Sequence, residues 1–122
     1  MTPSPDAKSI DLTMPWPPSI LSPTGRPHHM ELARAKKALR EAWAWTAKEH
    51  GATKIDASAL HLSLVFVPPD RRRRDLDNCL AACKAGLDGL ADVLGVDDRH
   101  WSLTLEMEDG PGGFVRVRVN AV

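Results

Sequence analysis

The sequence contains little cysteine, no excess of either charge and no long hydrophobic run. Its two cysteines, Cys79 and Cys83, fit neither a zinc-type CxxC pair nor a disulfide framework, which favours a reducing, cytoplasmic environment. Sixteen Lys and Arg residues balance sixteen Asp and Glu residues, so the net charge neither indicates nor excludes a nucleic-acid partner. No apolar run approaches the roughly 20 residues of a membrane span, and the first residues lack the apolar core of a signal peptide. We therefore expect an unprocessed protein without a membrane partner.

The 122 residues, 43% of them hydrophobic, are enough for one compact core without disulfide bonds. Residues 1–8 are polar and contain two prolines, so we expect a disordered tail there and a single domain over 9–122. Apolar residues that alternate or form short runs predict four strands, at 10–14, 60–67, 101–107 and 115–119. Apolar residues at three- and four-residue spacing predict two helices, at about 30–50 and 77–94, each closed by a glycine.

The predicted element order is β-α-β-α-β-β, which indicates an α+β fold with two helices packed on a mixed sheet. The last two strands flank the turn Gly110-Pro111-Gly112-Gly113, so we expect them to form a β-hairpin.

An arginine-rich segment connects the second predicted strand to the second predicted helix, and it reads Asp70-Arg71-Arg72-Arg73-Arg74-Asp75-Leu76-Asp77-Asn78. One interpretation is a solvated loop whose aspartates cap the helix and whose arginines offset their charge. Capping needs only one carboxylate, however, and four adjacent like charges repel one another until a partner arrives. The other interpretation is a DNA-binding segment whose phosphate contacts come from Arg71, Arg72, Arg73 and Arg74, extended by Arg26 and Lys37.

Carboxylates before and after the second predicted helix could form a metal site. On a regular helix Asp77, Lys84 and Asp88 share one stripe, and a chain that doubles back after the helix could bring Asp97-Asp98 near Asp75 and Asp77. Carboxylates about 4 Å apart repel by roughly 4 kcal/mol at an effective dielectric of 20, which favours a raised pKa or a bound divalent cation. Oxygen ligands without His or Cys select Mg²⁺, with Mn²⁺ as a substitute. Such a cation supports phosphodiester cleavage, and Lys84 could stabilise charge on the transition state.

Three segments of the chain resemble the RusA family of Holliday-junction resolvases. They are Pro15-Trp16-Pro17-Pro18-Ser19, the arginine-rich segment with its Asp75-Leu76-Asp77-Asn78, and Lys84-Ala85-Gly86-Leu87-Asp88 followed by Gly95-Val96-Asp97-Asp98. The resemblance implies a homodimeric, Mg²⁺-dependent endodeoxyribonuclease that cuts four-way DNA junctions symmetrically in recombination and repair, without a small-molecule cofactor. It also implies roles for single residues: metal binding by Asp75, Asp77 and Asp98, an auxiliary acidic position at Asp97, and catalytic assistance by Arg74 and Lys84.

The chain departs from that pattern in two places. Lys84 follows Asp77 by seven residues, where the resembled motif often has four, and the loop after Ser19 lacks the asparagine that is common in the family. Two other classes of function stay open on the sequence alone. One is a branched-DNA-binding module without catalysis, and the other is a protein-interaction domain whose arginines bind an acidic partner.

Overall fold

The computed structural model describes residues 9–23 and 28–122, which form one α+β domain with helices packed on a mixed sheet. The predicted class is therefore confirmed, while the predicted tail at 1–8 lies outside the described residues. The elements are β1 (Ser9–Pro15), α1 (His29–Glu49), β2 (Leu60–Val67), α2 (Leu76–Ala82), α3 (Lys84–Leu94), β3 (Trp101–Met107) and β4 (Phe114–Ala121). Two short 3-10 turns occupy Ser19–Leu21 and Asp98–His100.

The sheet has the strand order β1-β4-β2-β3, in which β2 and β3 are parallel and the other pairs are antiparallel. The predicted hairpin is therefore wrong, because β2 lies between β3 and β4. The connection from β3 to β4 crosses the end of β2, where the Gly112 N–H donates to the Pro68 carbonyl at 2.7 Å. A Cβ atom on Gly110 would lie 2.6 Å from the same carbonyl oxygen, so this crossing needs glycine. Most of β2 is buried, which suits a central strand with a neighbour on each side.

The core lies between the helices and one face of the sheet. Trp43 of α1 is fully buried in it, and its indole N–H donates to the Pro15 carbonyl at 3.1 Å. Two glycines let α3 approach α1 closely: a Cβ on Gly86 would lie 2.4 Å from the Trp43 ring, and one on Gly89 would lie 2.2 Å from the Arg40 carbonyl oxygen. This packing holds α3 against the domain and so determines where the residues of its exposed face lie.

The second predicted helix is divided in two at Cys83. The Cys83 N–H donates to the Leu80 carbonyl at 3.1 Å, a tight i to i−3 bond that interrupts the regular helix. The apolar spacing continues across the break, which is why the sequence indicates one helix. Because the segment is divided into two helices, α3 packs on α1 while α2 packs beside Ser19–Leu21 and β3.

None of the helices in the described part of the chain has the length and apolarity that a bilayer span requires. The sheet face opposite the helices is polar where β1 and β4 meet, with Arg118 paired to Asp11 at 2.7 Å. Arg116 on the same face pairs with Glu108. These two arginines are thus already neutralised by carboxylates.

Candidate functional site

Two aspartates from separate stretches of the chain line one hollow of about 430 Å³. We call it the acidic hollow, and its lining residues are Asp77, Leu80, Ala81, Lys84, Leu87, Asp98, Trp101 and Leu103. The hollow therefore brings together three of the residues that the sequence singles out, Asp77, Lys84 and Asp98, although α2 and α3 are separate helices.

Lys84 is bound by carboxylates on two sides of the acidic hollow. Its Nζ donates to Asp98 Oδ2 at 2.5 Å and to Asp88 Oδ1 at 3.0 Å. The hydrogen bond from Lys84 lowers the pKa of Asp98, and the bonds to Asp98 and then Asp88 raise the pKa of Lys84. Lys84 is consequently a cation, and Asp98 an anion, across the neutral pH range.

Asp98 reaches the hollow because of how α3 ends. Gly95 closes the helix in the left-handed conformation, with φ 72°, and the buried Val96 turns the chain back toward the core. Asp97 then caps the following 3-10 turn by accepting the Arg99 N–H at 3.1 Å. Asp98 is the first residue of that turn and lines the acidic hollow, whereas Asp97 is not among its lining residues.

Asp75 stands at the N-cap of α2, yet its side chain forms no capping hydrogen bond. Instead the side-chain amide of Asn78 donates to Asp75 Oδ2 at 3.5 Å, and the Asn78 backbone N–H donates to Asp77 Oδ1 at 3.0 Å. Asn78 thus contacts both carboxylates at the start of α2. The interpretation of Asp75 as a simple helix cap finds no hydrogen bond to support it.

A second hollow, of about 690 Å³, is the one that Asp75 lines. We call it the arginine hollow, and its lining residues are Trp16, Pro17, Pro18, Ser19, Ser22, Pro69, Arg72, Arg73, Arg74, Asp75, Asn78, Cys79 and Ala82. Its wall combines guanidinium groups with an aromatic ring and prolines. Such a surface suits a ligand that carries both negative charge and flat apolar groups.

The four arginines of the run differ in their surroundings. Arg74 is largely covered, with 17% of its side chain exposed, and it donates to Asp70 Oδ1 at 2.8 Å while lying over the Trp16 ring at 5.6 Å. Arg72 also pairs with Asp70, at 3.3 Å. The hydrogen bond from Arg74 is the main reason that the pKa of Asp70 lies far below its usual value. Among the described residues, Arg71 and Arg73 are exposed and have no ion-pair partner.

Oxygen donors suited to a hard cation come from Asp77 and Asp98 in the acidic hollow, whereas the third predicted carboxylate, Asp75, lines the arginine hollow instead. Within residues 9–23 and 28–122, no group of three or more His, Cys, Asp or Glu side chains is arranged to hold a metal ion. The two carboxylates of the acidic hollow are of the ligand type that a divalent cation prefers, and water or a substrate phosphate would have to complete the ligand set.

Two further basic residues were predicted to bind DNA. Lys37 is exposed on α1, with its Nζ 4.0 Å from Glu41, and neither hollow includes it among its lining residues. Arg26 lies outside the described residues. Burial raises the pKa of Cys79 and raises that of Cys83 to about 12, so neither free thiol is a ready nucleophile.

Asp70, Asn78 and Trp16 contact the predicted site residues although the sequence analysis assigned them no role. Asp70 lies four residues before Arg74, so a local i, i+4 ion pair was detectable from spacing. Nothing in the spacing indicates that Trp16 lies beside Arg74, because that contact joins distant parts of the chain.

No family model matches the chain. The chain is similar to an uncharacterized protein of Xylella fastidiosa, with 41% identity over 93 residues. The match covers 74% of this chain and 61% of the Xylella protein, so this chain spans less than two thirds of that relative's length. Because this relative is itself uncharacterized, only the geometry described above bears on the function.

Proposed function

We propose that this protein is a divalent-metal-dependent DNA endonuclease that resolves four-way junctions. The observation that carries the proposal is the acidic hollow, which Asp77 and Asp98 line together and in which Lys84 binds Asp98. A helix cap or a solvated loop would not require carboxylates from two separate stretches to line one hollow with a lysine. The resemblance to RusA resolvases supports the same activity.

The arginine hollow would bind the sugar-phosphate backbone. Arg71 and Arg73 are exposed and unpaired among the described residues, so they can contact phosphates without first breaking an ion pair. Arg74 is instead held by Asp70 and Trp16, which fixes its guanidinium in the wall of the hollow that Asp75 also lines. A backbone bound along this loop would therefore pass the start of α2, where Asp75 and Asp77 lie.

Asp77 and Asp98 would hold the cation, Mg²⁺ by preference, while Asp75 stands two residues before Asp77 at the start of α2. When bound, a divalent cation polarises a phosphoryl oxygen and lowers the pKa of a water molecule. Lys84 supplies a positive charge at the same hollow, where it can stabilise the negative charge that develops on the phosphate. Asn78 holds the Asp75 and Asp77 carboxylates in place through its amide and its backbone N–H.

Symmetric resolution of a junction needs two such sites, so we propose a homodimer with two-fold symmetry. The buried, free thiols of Cys79 and Cys83 are compatible with a reducing cytoplasm as the place of action. Sedimentation velocity of the purified protein tests the dimer directly, and a strict monomer at micromolar concentration contradicts it.

The proposal is tested by incubating a synthetic four-way junction and a matched linear duplex with Mg²⁺ or with EDTA. We expect paired, symmetric nicks in the junction with Mg²⁺ only. Asp75→Asn should keep junction binding and lose cleavage, while Asp11→Asn, on the polar sheet face, should cleave like the wild type. Absence of nicks in the wild-type protein with Mg²⁺ and with Mn²⁺ would falsify the proposal.

One observation favours a branched-DNA-binding module without cleavage. Lys84 already pairs with Asp98, so part of the negative charge of the acidic hollow is neutralised without a metal ion. The same assay separates the two functions. A binding module produces the same shifted junction complex with Mg²⁺ and with EDTA, and it produces no nicks in either.

A further inference from the structure

Lys84 has two carboxylate partners that come from different elements. Asp88 lies one turn further along α3, while Asp98 belongs to the turn that follows the helix. Asp98 lines the acidic hollow together with Asp77, whereas Asp88 is not among the lining residues. The ammonium group is therefore shared between a carboxylate inside the hollow and one beside it.

A divalent cation that binds Asp98 must compete with the Lys84 ammonium for the same carboxylate. Without a second partner, the lysine would either block the cation or leave the site for solvent, since 61% of its side chain is exposed. Asp88 offers an alternative partner on the same face of α3, because residues four apart lie on the same side of a helix, and its carboxylate is 3.0 Å from the Lys84 ammonium. The lysine can thus release Asp98 and remain beside the hollow.

We propose that Asp88 is a positioning residue that retains the Lys84 ammonium beside the acidic hollow when a divalent cation takes Asp98. This inference rests on the proposed function, because it assumes that Asp98 is a metal ligand. It adds a residue with no assigned role, and it gives Lys84 two states: one bound to both carboxylates, and one bound to Asp88 with its remaining N–H groups directed to a phosphate.

The inference predicts an interaction between two substitutions that is measurable without DNA. Mn²⁺ affinity is determined from the electron paramagnetic resonance signal of free Mn²⁺, at physiological ionic strength to screen distant charges. Lys84→Gln removes the competitor and should strengthen Mn²⁺ binding by about threefold, in the range of an exposed ion pair. Asp88→Asn leaves Lys84 with Asp98 alone and should weaken Mn²⁺ binding by about threefold.

The decisive measurement is Asp88→Asn in the Lys84→Gln background. If Asp88 acts through Lys84, the substitution should leave the Mn²⁺ affinity of Lys84→Gln unchanged. If Asp88 only contributes negative charge, or is itself a ligand, the Asp88→Asn substitution should weaken Mn²⁺ binding equally in both backgrounds. That result overturns the inference. Asp92→Asn is the matched control, because it removes the same charge from α3 but its partner is Arg40, at 2.8 Å.

The failure of the proposed function has a different signature. Asp98→Asn should weaken Mn²⁺ binding in the wild-type background if Asp98 is a ligand. If Asp98→Asn leaves Mn²⁺ affinity unchanged, Asp98 is not a metal ligand. That result contradicts the proposed metal site and the inference that depends on it. Binding that responds to Asp98→Asn, with equal effects of Asp88→Asn in both backgrounds, overturns the role of Asp88 alone. The substituted side chains are exposed, and thermal unfolding of each variant verifies that the fold is intact.

Discussion

The arginine hollow and the acidic hollow are both lined by residues of α2, yet they are assembled in different ways. The charged groups of the arginine hollow come from one continuous segment, in which Asp70 pairs with Arg72 and Arg74. The acidic hollow joins α2, α3, the Asp98–His100 turn and β3, and its ion pair between Lys84 and Asp98 spans two elements. Local sequence can therefore specify the first arrangement, whereas only the packing of the chain produces the second.

The two hollows also differ in how much of their charge is already paired. At the acidic hollow Lys84 binds two carboxylates, Asp98 inside the hollow and Asp88 beside it. At the arginine hollow Asp70, which is not a lining residue, binds both Arg72 and Arg74. Arg73, which lines the arginine hollow, and the preceding Arg71 have no ion-pair partner among the described residues, so the surface at this hollow keeps an excess of positive charge for a polyanion. We interpret the first hollow as the place of chemistry and the second as the place of binding.

Substitution in the acidic hollow should have the largest effect and should separate chemistry from binding. Asp98→Asn is expected to lower the rate of junction cleavage by at least about a hundredfold, because even the outer partners of metal ligands contribute roughly 10- to 100-fold. Junction affinity in EDTA should stay within about twofold, since phosphate contacts by cationic side chains carry most of the affinity. Single-turnover cleavage and gel-shift titration measure the two quantities.

Asp97→Asn tests whether the neighbouring carboxylate belongs to the same site. Asp97 caps the turn and is not a lining residue of the acidic hollow, so its substitution should lower the cleavage rate far less than Asp98→Asn. Equal losses for both variants would contradict this distinction and would add Asp97 to the ligand set.

The arginine hollow should respond in the opposite way, with a moderate loss of binding. Replacing both Arg71 and Arg73 by alanine should reduce the salt slope of junction binding by about 1.8, because each phosphate contact contributes about 0.9. The measurement is a series of binding isotherms over increasing salt. Arg116 and Arg118 serve as a matched pair of controls, since both are exposed but already paired with carboxylates on the polar sheet face. If both double variants change the slope equally, the arginine loop has no special role in binding.

The smallest expected effect concerns Asp70 and appears as a pH dependence of stability. Its pKa is lowered in the folded protein, chiefly by the hydrogen bond from Arg74, so its charged form stabilises the fold above the unfolded-state pKa of about 3.8. That contribution is lost as the pH falls through the lower pKa of the folded state. Asp70→Asn should therefore be slightly less stable than the wild type at neutral pH.

The difference in unfolding free energy between the wild type and Asp70→Asn should shrink steadily as the pH falls below about 4. Urea denaturation of both proteins across this pH range measures the stability difference. Asp98 is present in both proteins, so its titration contributes equally to each and cancels. A stability difference that is independent of pH would mean that Asp70 acts by a route other than its charge.

The class of the fold and most element positions were predictable, while the sheet order and the helix break were not. Alternation and spacing locate strands and helices because they reflect which side of each element is buried. They carry no information on which strand lies beside which. Both β3 and β4 alternate as a hairpin would, and only the connection across the end of β2, with Gly110 against Pro68, excludes that pairing.

The candidate site was predictable in its residue types and only partly in its grouping. The spacing of Lys84 and Asp88 was enough to predict their shared helix face, and the ion pair between them agrees with it. The approach of Asp98 to Lys84 was a hypothesis that the sequence alone could not test. No pattern in the sequence indicated that Trp16 contacts Arg74, because the two residues are distant in the chain.

The amino-acid sequence by itself determined the local features: an arginine run in front of α2, the Lys84 and Asp88 pair on one face of α3, and a left-handed glycine that ends α3. These depend on neighbours within a few residues, where backbone geometry leaves little choice. Tertiary structure alone decided that Asp98 forms an ion pair with Lys84, that β2 separates β3 from β4, and that Asp75 and Asp77 line different hollows. Such contacts depend on how helices and strands pack, and packing is a property of the whole core rather than of any short segment.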